Sequence, residues 1–162
     1  MFNLELKKKI MLKKMLIAVF LFASILGAEA QSYEFKIVTT IESVVPMGLG
    51  RSRIISAEEE KNYQDYTSSR TEENNKQNKS KRSDAKVDNF NETKILNFFS
   101  AAGINFQNIA SNDAVISSKV NTMIDEGWEL AFVTSGVESD AGKGDGQGIF
   151  ITRFIFKRLK SW

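Results

Sequence analysis

The sequence predicts an α+β fold, a two-layer domain in which three or more mainly antiparallel strands pack against helices. Two observations predict it. Three segments, 33–42, 128–135 and 149–158, are rich in aromatic and β-branched residues with the patterns of strands. Two further segments, 92–102 and 113–126, carry apolar residues at helical spacing. One sheet with helices segregated to one side satisfies both patterns.

Residues 1–30 have the three zones of a cleavable export signal. Five lysines lie between Lys7 and Lys14, an apolar run of 12 residues follows, and Ala28 and Ala30 form an A-x-A cleavage pattern. As a helix the run spans about 18 Å, less than the ~30 Å hydrocarbon core, which argues against the alternatives of a retained anchor or a core helix. We therefore expect a periplasmic or secreted protein without a stable transmembrane segment after cleavage.

Composition excludes several kinds of chemistry. The chain has neither Cys nor His, which removes disulfides, thiol nucleophiles, Ser-His-Asp catalysis and His-based zinc sites. Without residues 1–30, the chain keeps 17 of its 22 basic and 18 of its 20 acidic residues. A net charge of −1 gives no reason to expect nucleic acid as a partner. We expect no cofactor and no metal.

The first ordered segment, Tyr33–Glu42, is predicted to be a strand with one buried face. Its odd-numbered positions are aromatic or β-branched, and its even-numbered positions mix charged residues with Val38 and Thr40. Pro46 ends the strand within a turn-prone stretch. Ile54 and Ile55 then indicate a short second strand.

Ser56–Asn89 is predicted to be a disordered polar insertion within a single domain that spans residues 31–162. The segment has eight acidic and seven basic residues and few apolar ones. Such a segment cannot bury enough apolar surface to offset the entropy of ordering. A spacer loop is the favoured interpretation, and an arm that folds on a partner is the alternative.

Two helices are predicted after the insertion. The first, over 92–102, is predicted from an apolar face made of Ile95, Leu96 and Phe99. The second, over 113–126, is expected to have Asn112 or Asp113 as its N-cap. It is expected to end before Gly127, where a left-handed residue is favoured.

The last two strands are predicted to pair with each other. Residues 128–135 alternate, and 149–158 are apolar on both faces, which is typical of a central strand. A Gly-rich loop, 136–148, joins them, so antiparallel pairing is the simplest arrangement. Trp128 is expected to pack in the core, and a ligand-stacking platform is the alternative.

The motifs at the two ends of the mature chain resemble those of the small DUF4177-type domain. They are the opening Tyr33–Val38 strand, Gly127-Trp128-Glu129-Leu130 after a helix, and the closing Phe154-Ile155-Phe156-Lys157-Arg158. The stretch between Val44 and Asn112 is longer than the short link usual in that family. The chain also resembles exported proteins of Bacteroidota-type bacteria. The resemblance implies a fold and an exported protein, and it carries no assigned activity.

The most suggestive polar site is the Gly48–Arg53 loop. Its glycines free the backbone, and Arg51 and Arg53 could together hold a carboxylate or phosphate. The loop lacks the strand–glycine–helix context of a nucleotide site, so a flexible turn with solvated arginines is the alternative. In the later Gly-rich loop, Asp140 and Asp145 are too few to specify a calcium site.

We therefore expect a non-catalytic envelope protein, a binding or accessory module whose sheet or loops meet an unknown envelope protein. The alternative is a small-ligand or anion-binding protein that uses the Gly48–Arg53 loop. A carboxylate-based hydrolase is the least favoured interpretation, because no pair of acidic residues suggests a buried acid and base. No catalytic residue is predicted.

Overall fold

A computed structural model describes residues 2–25, 31–45, 52–138 and 148–160 and confirms the α+β class. The chain divides into two compact units, residues 1–33 with 159–162, and residues 34–158. The first unit contains helix α1, Phe2–Ile25. Among the described helices, none is long and apolar enough to cross a membrane. The cleavage motif, Ala28 and Ala30, lies outside the described residues, and cleavage stays a prediction.

A five-stranded antiparallel sheet forms the framework. Its strands are β1 (Tyr33–Ser43), β2 (Arg53–Ala57), β3 (Phe90–Lys94), β6 (Glu129–Glu138) and β7 (Ile149–Leu159). Two short strands, β4 (Phe99–Ser100) and β5 (Gly103–Ile104), form a separate hairpin. The order across the large sheet is β3-β2-β1-β7-β6. This order confirms the three predicted strands, the short strand at Ile54 and Ile55, and the central position of β7.

The predicted helix over 92–102 is wrong. Phe90–Lys94 instead pairs with β2, from Arg53 opposite Lys94 to Ala57 opposite Phe90. The spacing of Ile95, Leu96 and Phe99 is compatible with a helix over 92–102, but the outer side of β2 has backbone N–H and C=O groups that need partners. An extended segment satisfies them, so tertiary pairing overrides the local helical pattern.

One long helix, α2 (Phe106–Asp125), covers one face of the sheet. It begins seven residues before the predicted helix, because Asn105 is the N-cap and its Oδ1 accepts a hydrogen bond from Asn108 N at 3.2 Å. The predicted caps, Asn112 and Asp113, lie inside the helix. Gly127, with a φ of +85°, confirms the left-handed residue expected after the helix.

The core lies between α2 and the sheet. Its buried apolar side chains are Val38, Ile54, Ile95, Met123, Trp128 and Phe156. Only 8% of Trp128 is exposed, which confirms the prediction that this ring packs in the core. The Arg158 guanidinium lies over the same ring, 4.2 Å from its centroid.

Strand β1 buries its even-numbered side chains against α2. Val38 and Thr40 are 2% and 1% exposed, whereas Phe35 and Ile37 on the other face are 61% and 49% exposed. The alternation in the sequence is therefore confirmed, and the more apolar set of side chains is the one that faces outward.

Between β2 and β3, residues 58–89 form an exposed polar connection with one short 3₁₀ helix, Tyr63–Tyr66. Ser56 and Ala57, assigned to the insertion from the sequence, belong to β2. Several contacts are internal to the connection, such as the hydrogen bond from the Tyr66 hydroxyl to Asp84 O at 2.8 Å. The predicted disorder of this segment stays a prediction.

Candidate functional site

The side of the sheet opposite α2, called the open face below, carries apolar side chains from all five strands. Phe90 lies opposite Ala57, and Phe132 lies opposite Ile155. On β1, Val38 is opposite Ser56, so Ile37 lies next to Ala57. Because β1 also runs antiparallel beside β7, Ile37 lies between the two pairs. The backbone hydrogen bonds that fix the β1–β7 pairing join Val44 N to Gly148 O and Lys160 N to Ser32 O. We call these five residues, one from each strand, the apolar row.

Three members of the apolar row and the neighbouring Phe35 are largely exposed. The exposed fractions are 67% for Phe132, 61% for Phe35, 49% for Ile37 and 46% for Phe90. With ~200 Å² for a fully exposed large side chain, these four alone present roughly 400 Å² of apolar surface. Contiguous patches of a few hundred Å² are often interaction sites in soluble proteins.

Of the two predicted site residues, the structure places one on the open face. Arg53 begins β2, donates from Nε to the Glu92 carboxylate on β3, and donates from Nη1 to Ser52 O at 2.8 Å. Arg51, together with Gly48 and Gly50, lies outside the described residues. The joint site of the two arginines therefore stays a prediction, and the guanidinium of Arg53 is already engaged by Glu92 and Ser52 O.

Two other cations on the open face lie near the apolar row. Arg153 is two residues from Ile155 on β7, and Lys94 is four residues from Phe90 on β3; both side chains are exposed. Neither forms an ion pair within the described part of the chain. In contrast, Lys157 on the same face lies 3.3 Å from Glu129. The charges close to the row that form no ion pair in the described part of the chain are therefore positive.

A charged cleft of about 320 Å³ lies at one end of the sheet. Arg158 Nε donates to Glu34 Oε1 at 2.7 Å, and Lys36 Nζ lies 3.3 Å from Glu58 Oε2. The ring under Arg158 is the buried Trp128. The cations of this cleft thus have carboxylate partners within it, which favours a structural role for the cluster.

A buried polar cluster joins α2 to the end of β1. Asn112 is 1% exposed, and its Nδ2 donates to Glu42 Oε1 at 2.9 Å. Burial raises the pKa of the Glu42 carboxyl; the hydrogen bond from Asn112 partly opposes this rise, and the nearby Asp113 adds to it. Sequence reasoning missed this cluster because an Asn before an apolar helical stripe is also the pattern of an N-cap.

Sequence reasoning also missed the open face as a single surface. Its β1 part was visible as the alternation that includes Phe35 and Ile37. The β3 part was hidden, because the residues after Phe90 were assigned to a helix. Only the register across five strands aligns these side chains.

Comparison of the chain with protein-family models, with curated proteins and with solved structures found no match. The resemblance to the DUF4177-type domain therefore stays a prediction. A proposal for the function of this chain therefore rests on the geometry of the described residues.

Proposed function

We propose that this protein is a non-catalytic binding module of the bacterial envelope, and that it docks a partner protein on the open face of its sheet. The observation that carries the proposal is the apolar row, which crosses all five strands and is left exposed while α2 covers the opposite side. The export signal predicted in residues 1–30 supports the envelope as the compartment.

The energetics of the row favour a protein partner. Burial of one Phe side chain contributes about 1.5–3 kcal/mol, and an interface needs only a few such side chains to dominate its binding energy. Phe35, Phe90 and Phe132 are available for this role. A flat row of aromatic and aliphatic groups also matches the extended apolar core of a protein interface better than the enclosed pocket that a small ligand needs.

The charges beside the row define the chemistry of the partner. Arg153 and Lys94 have no ion-pair partner among the described residues, whereas Glu92 and Glu129 are paired with Arg53 and Lys157. A surface with apolar side chains flanked by carboxylates is complementary to this arrangement. The engagement of Arg53 by Glu92 also favours docking on the sheet over anion binding at the Gly48–Arg53 loop.

Partner recovery with matched variants tests the proposal. Phe35→Ser and Phe132→Ser change the open face, and Phe106→Ser changes a phenylalanine that is 76% exposed at the start of α2. We expect envelope proteins recovered by the unchanged chain to be recovered by Phe106→Ser and lost with the other two. Unfolding temperatures should be similar for all four proteins, because each substituted ring is exposed.

One further variant and one contrary outcome complete this test. Arg153→Glu should reduce recovery of the same partner by tenfold or more, since a like charge would then face its carboxylates. Equal recovery by the Phe35→Ser, Phe132→Ser and Phe106→Ser variants would contradict docking on the open face. The Gly48–Arg53 loop would then be the next region to test, by thermal-shift titration with inorganic phosphate.

A further inference from the structure

The two edges of the sheet are protected to different degrees. Strands β3 and β6 are the outer strands, so one side of each has backbone N–H and C=O groups with no neighbouring strand among the described residues. Strand β3 has five residues, of which Glu92 and Lys94 are charged. Short length and charge are two of the features by which proteins keep edge strands from pairing with other chains.

Strand β6 lacks those features. It has ten residues, and all except Ala131 are exposed. Its charged residues are at the two ends, and no proline or lysine lies between them. Four apolar side chains are exposed, on both sides of the strand: Phe132 at 67%, Val137 at 61%, Val133 at 52% and Leu130 at 38%. A long, apolar edge of this kind is a template for strand addition.

We propose that β6 pairs with β6 of a second copy of this chain, antiparallel across a two-fold axis perpendicular to the sheet. Such a pair joins two five-stranded sheets into one sheet of ten strands. The axis keeps both open faces on the same side, and it requires that residues on the same face lie opposite each other. The proposal concerns the outer edge of β6 rather than the open face, with Phe132 common to both, and it does not depend on the docking of a partner protein.

A register centred on Thr134 places compatible side chains of the two β6 strands opposite each other. It places Phe132 opposite Gly136 of the second copy, where an aromatic ring covers a glycine that has no side chain of its own. Val133 then lies opposite Ser135. A β-bulge between Leu130 and Phe132 places Leu130 on the side of α2, so the paired segment runs from Phe132 to Gly136 and leaves Glu129 and Glu138 outside it. The two glutamates of one strand therefore never face a glutamate of the other, which avoids like-charge repulsion.

The expected dimer is of moderate strength. A ladder of five residue pairs supplies about five hydrogen bonds, the lower end of the range for a protein interface, and it buries less side-chain area than a typical interface. We therefore expect dissociation in the micromolar range. The pairing places the two apolar rows on the same side of the joined sheet, displaced from each other by four residues, or about 13 Å, along β6.

The absence of cysteine from the chain makes a direct test available. Residue 134 lies opposite itself in the proposed register, at an antiparallel Cα–Cα distance of about 4.5–5.5 Å that a disulfide can span. We expect Thr134→Cys to form disulfide-linked dimers rapidly under mild copper–phenanthroline oxidation. Thr93→Cys, an exposed position on the other edge strand, is the matched control and should cross-link at least tenfold more slowly.

Sedimentation equilibrium supplies the second measurement. The unchanged chain and Thr93→Lys should both reach twice the monomer mass at about 100 µM, well above the micromolar dissociation expected from the size of the interface. Thr134→Lys should stay monomeric, because two lysines would meet at the axis. A monomeric unchanged chain overturns the proposal, and so does a dimer that survives Thr134→Lys while Thr134→Cys cross-links no faster than Thr93→Cys.

Discussion

The side-chain amide of Asn112 joins α2 to Leu96 and to the end of β1 by three hydrogen bonds. Its Oδ1 accepts a hydrogen bond from Leu96 N at 2.7 Å. Its Nδ2 donates to Leu96 O at 2.7 Å and to Glu42 Oε1 at 2.9 Å. Asn112→Ala removes all three hydrogen bonds and leaves the backbone groups of Leu96 and the Glu42 carboxyl without this partner.

The cost follows from the number of bonds and their burial. Three hydrogen bonds at a net ~1 kcal/mol each amount to about 3 kcal/mol. The higher helix propensity of Ala offsets about 0.5 kcal/mol of this loss. Leu96 is 47% exposed, so water can replace part of the lost hydrogen bonding and reduce the loss further. We therefore expect Asn112→Ala to lower the free energy of unfolding by about 2–3 kcal/mol, or the unfolding temperature by about 10 °C for a domain of this size.

Urea unfolding followed by circular dichroism measures this loss. The matched control is Asn121→Ala, which makes the same change at an exposed position of the same helix and should shift stability by no more than about 0.5 kcal/mol. If Asn112→Ala cost no more than this control, with an unchanged dependence on urea concentration, the hydrogen-bond argument would be refuted.

Three further predictions concern the buried face, the raised pKa and the helix end. Phe156→Ala should lower the free energy of unfolding, measured by calorimetry, by about 3–5 kcal/mol because this ring is fully buried. Phe35→Ala, at an exposed ring, should lower it by less than about 1 kcal/mol. Similar losses for the two variants would contradict the assignment of the buried face. Burial raises the folded-state pKa of Glu42 above 4.5, so its stabilising contribution is complete below the unfolded-state pKa and is lost as pH rises through the folded-state pKa. Glu42→Gln, which keeps an acceptor for Asn112, should therefore flatten the fall in stability above pH 4.5, and an unchanged pH profile would contradict this origin. Gly127→Ala should lower the free energy of thermal unfolding by about 1 kcal/mol because the residue has a positive φ. The new Cβ meets no steric clash, since its nearest atom is 4.0 Å away. An unchanged stability would contradict the backbone argument.

The controls for the last two predictions lie in the same chain. Gly136→Ala places a methyl group on β6 where no atom lies within 4 Å and the φ is not positive, so it should leave stability nearly unchanged. Asp113→Asn removes the charge that adds to the rise in the Glu42 pKa, and it should lower that pKa. An NMR titration of the Glu42 carboxyl measures the second effect directly.

The sequence predicted the elements whose patterns are local. Strands β1, β6 and β7 show their periodicity within about ten residues each, and Gly127 marks the end of α2 by a backbone preference of one residue. The candidate site was predicted far less well. Arg53 was identified as a polar site residue, but its partner Glu92 was assigned to a helix, so their ion pair could not be foreseen.

The same limit explains why residues 92–102 were misassigned. The spacing of Ile95, Leu96 and Phe99 allows a helix, and nothing within the segment indicates that β2 lies alongside to accept an extended partner. The N-cap of α2 was misplaced for a similar reason. Asn105 and Asn112 are both plausible caps, and the choice depends on which of them finds polar partners in the core.

By itself, the sequence determined the α+β class, the central position of β7 and the period-2 alternation of β1. Only the tertiary structure decided which face of β1 is buried, because a period of two separates the side chains into two sets without stating which set meets α2. The hydrophobic effect favours burial of both sets, but a single helix can cover only one side of the sheet. Val38 and Thr40 occupy that side, and Phe35 and Ile37 are left on the open face, where the proposed partner docks.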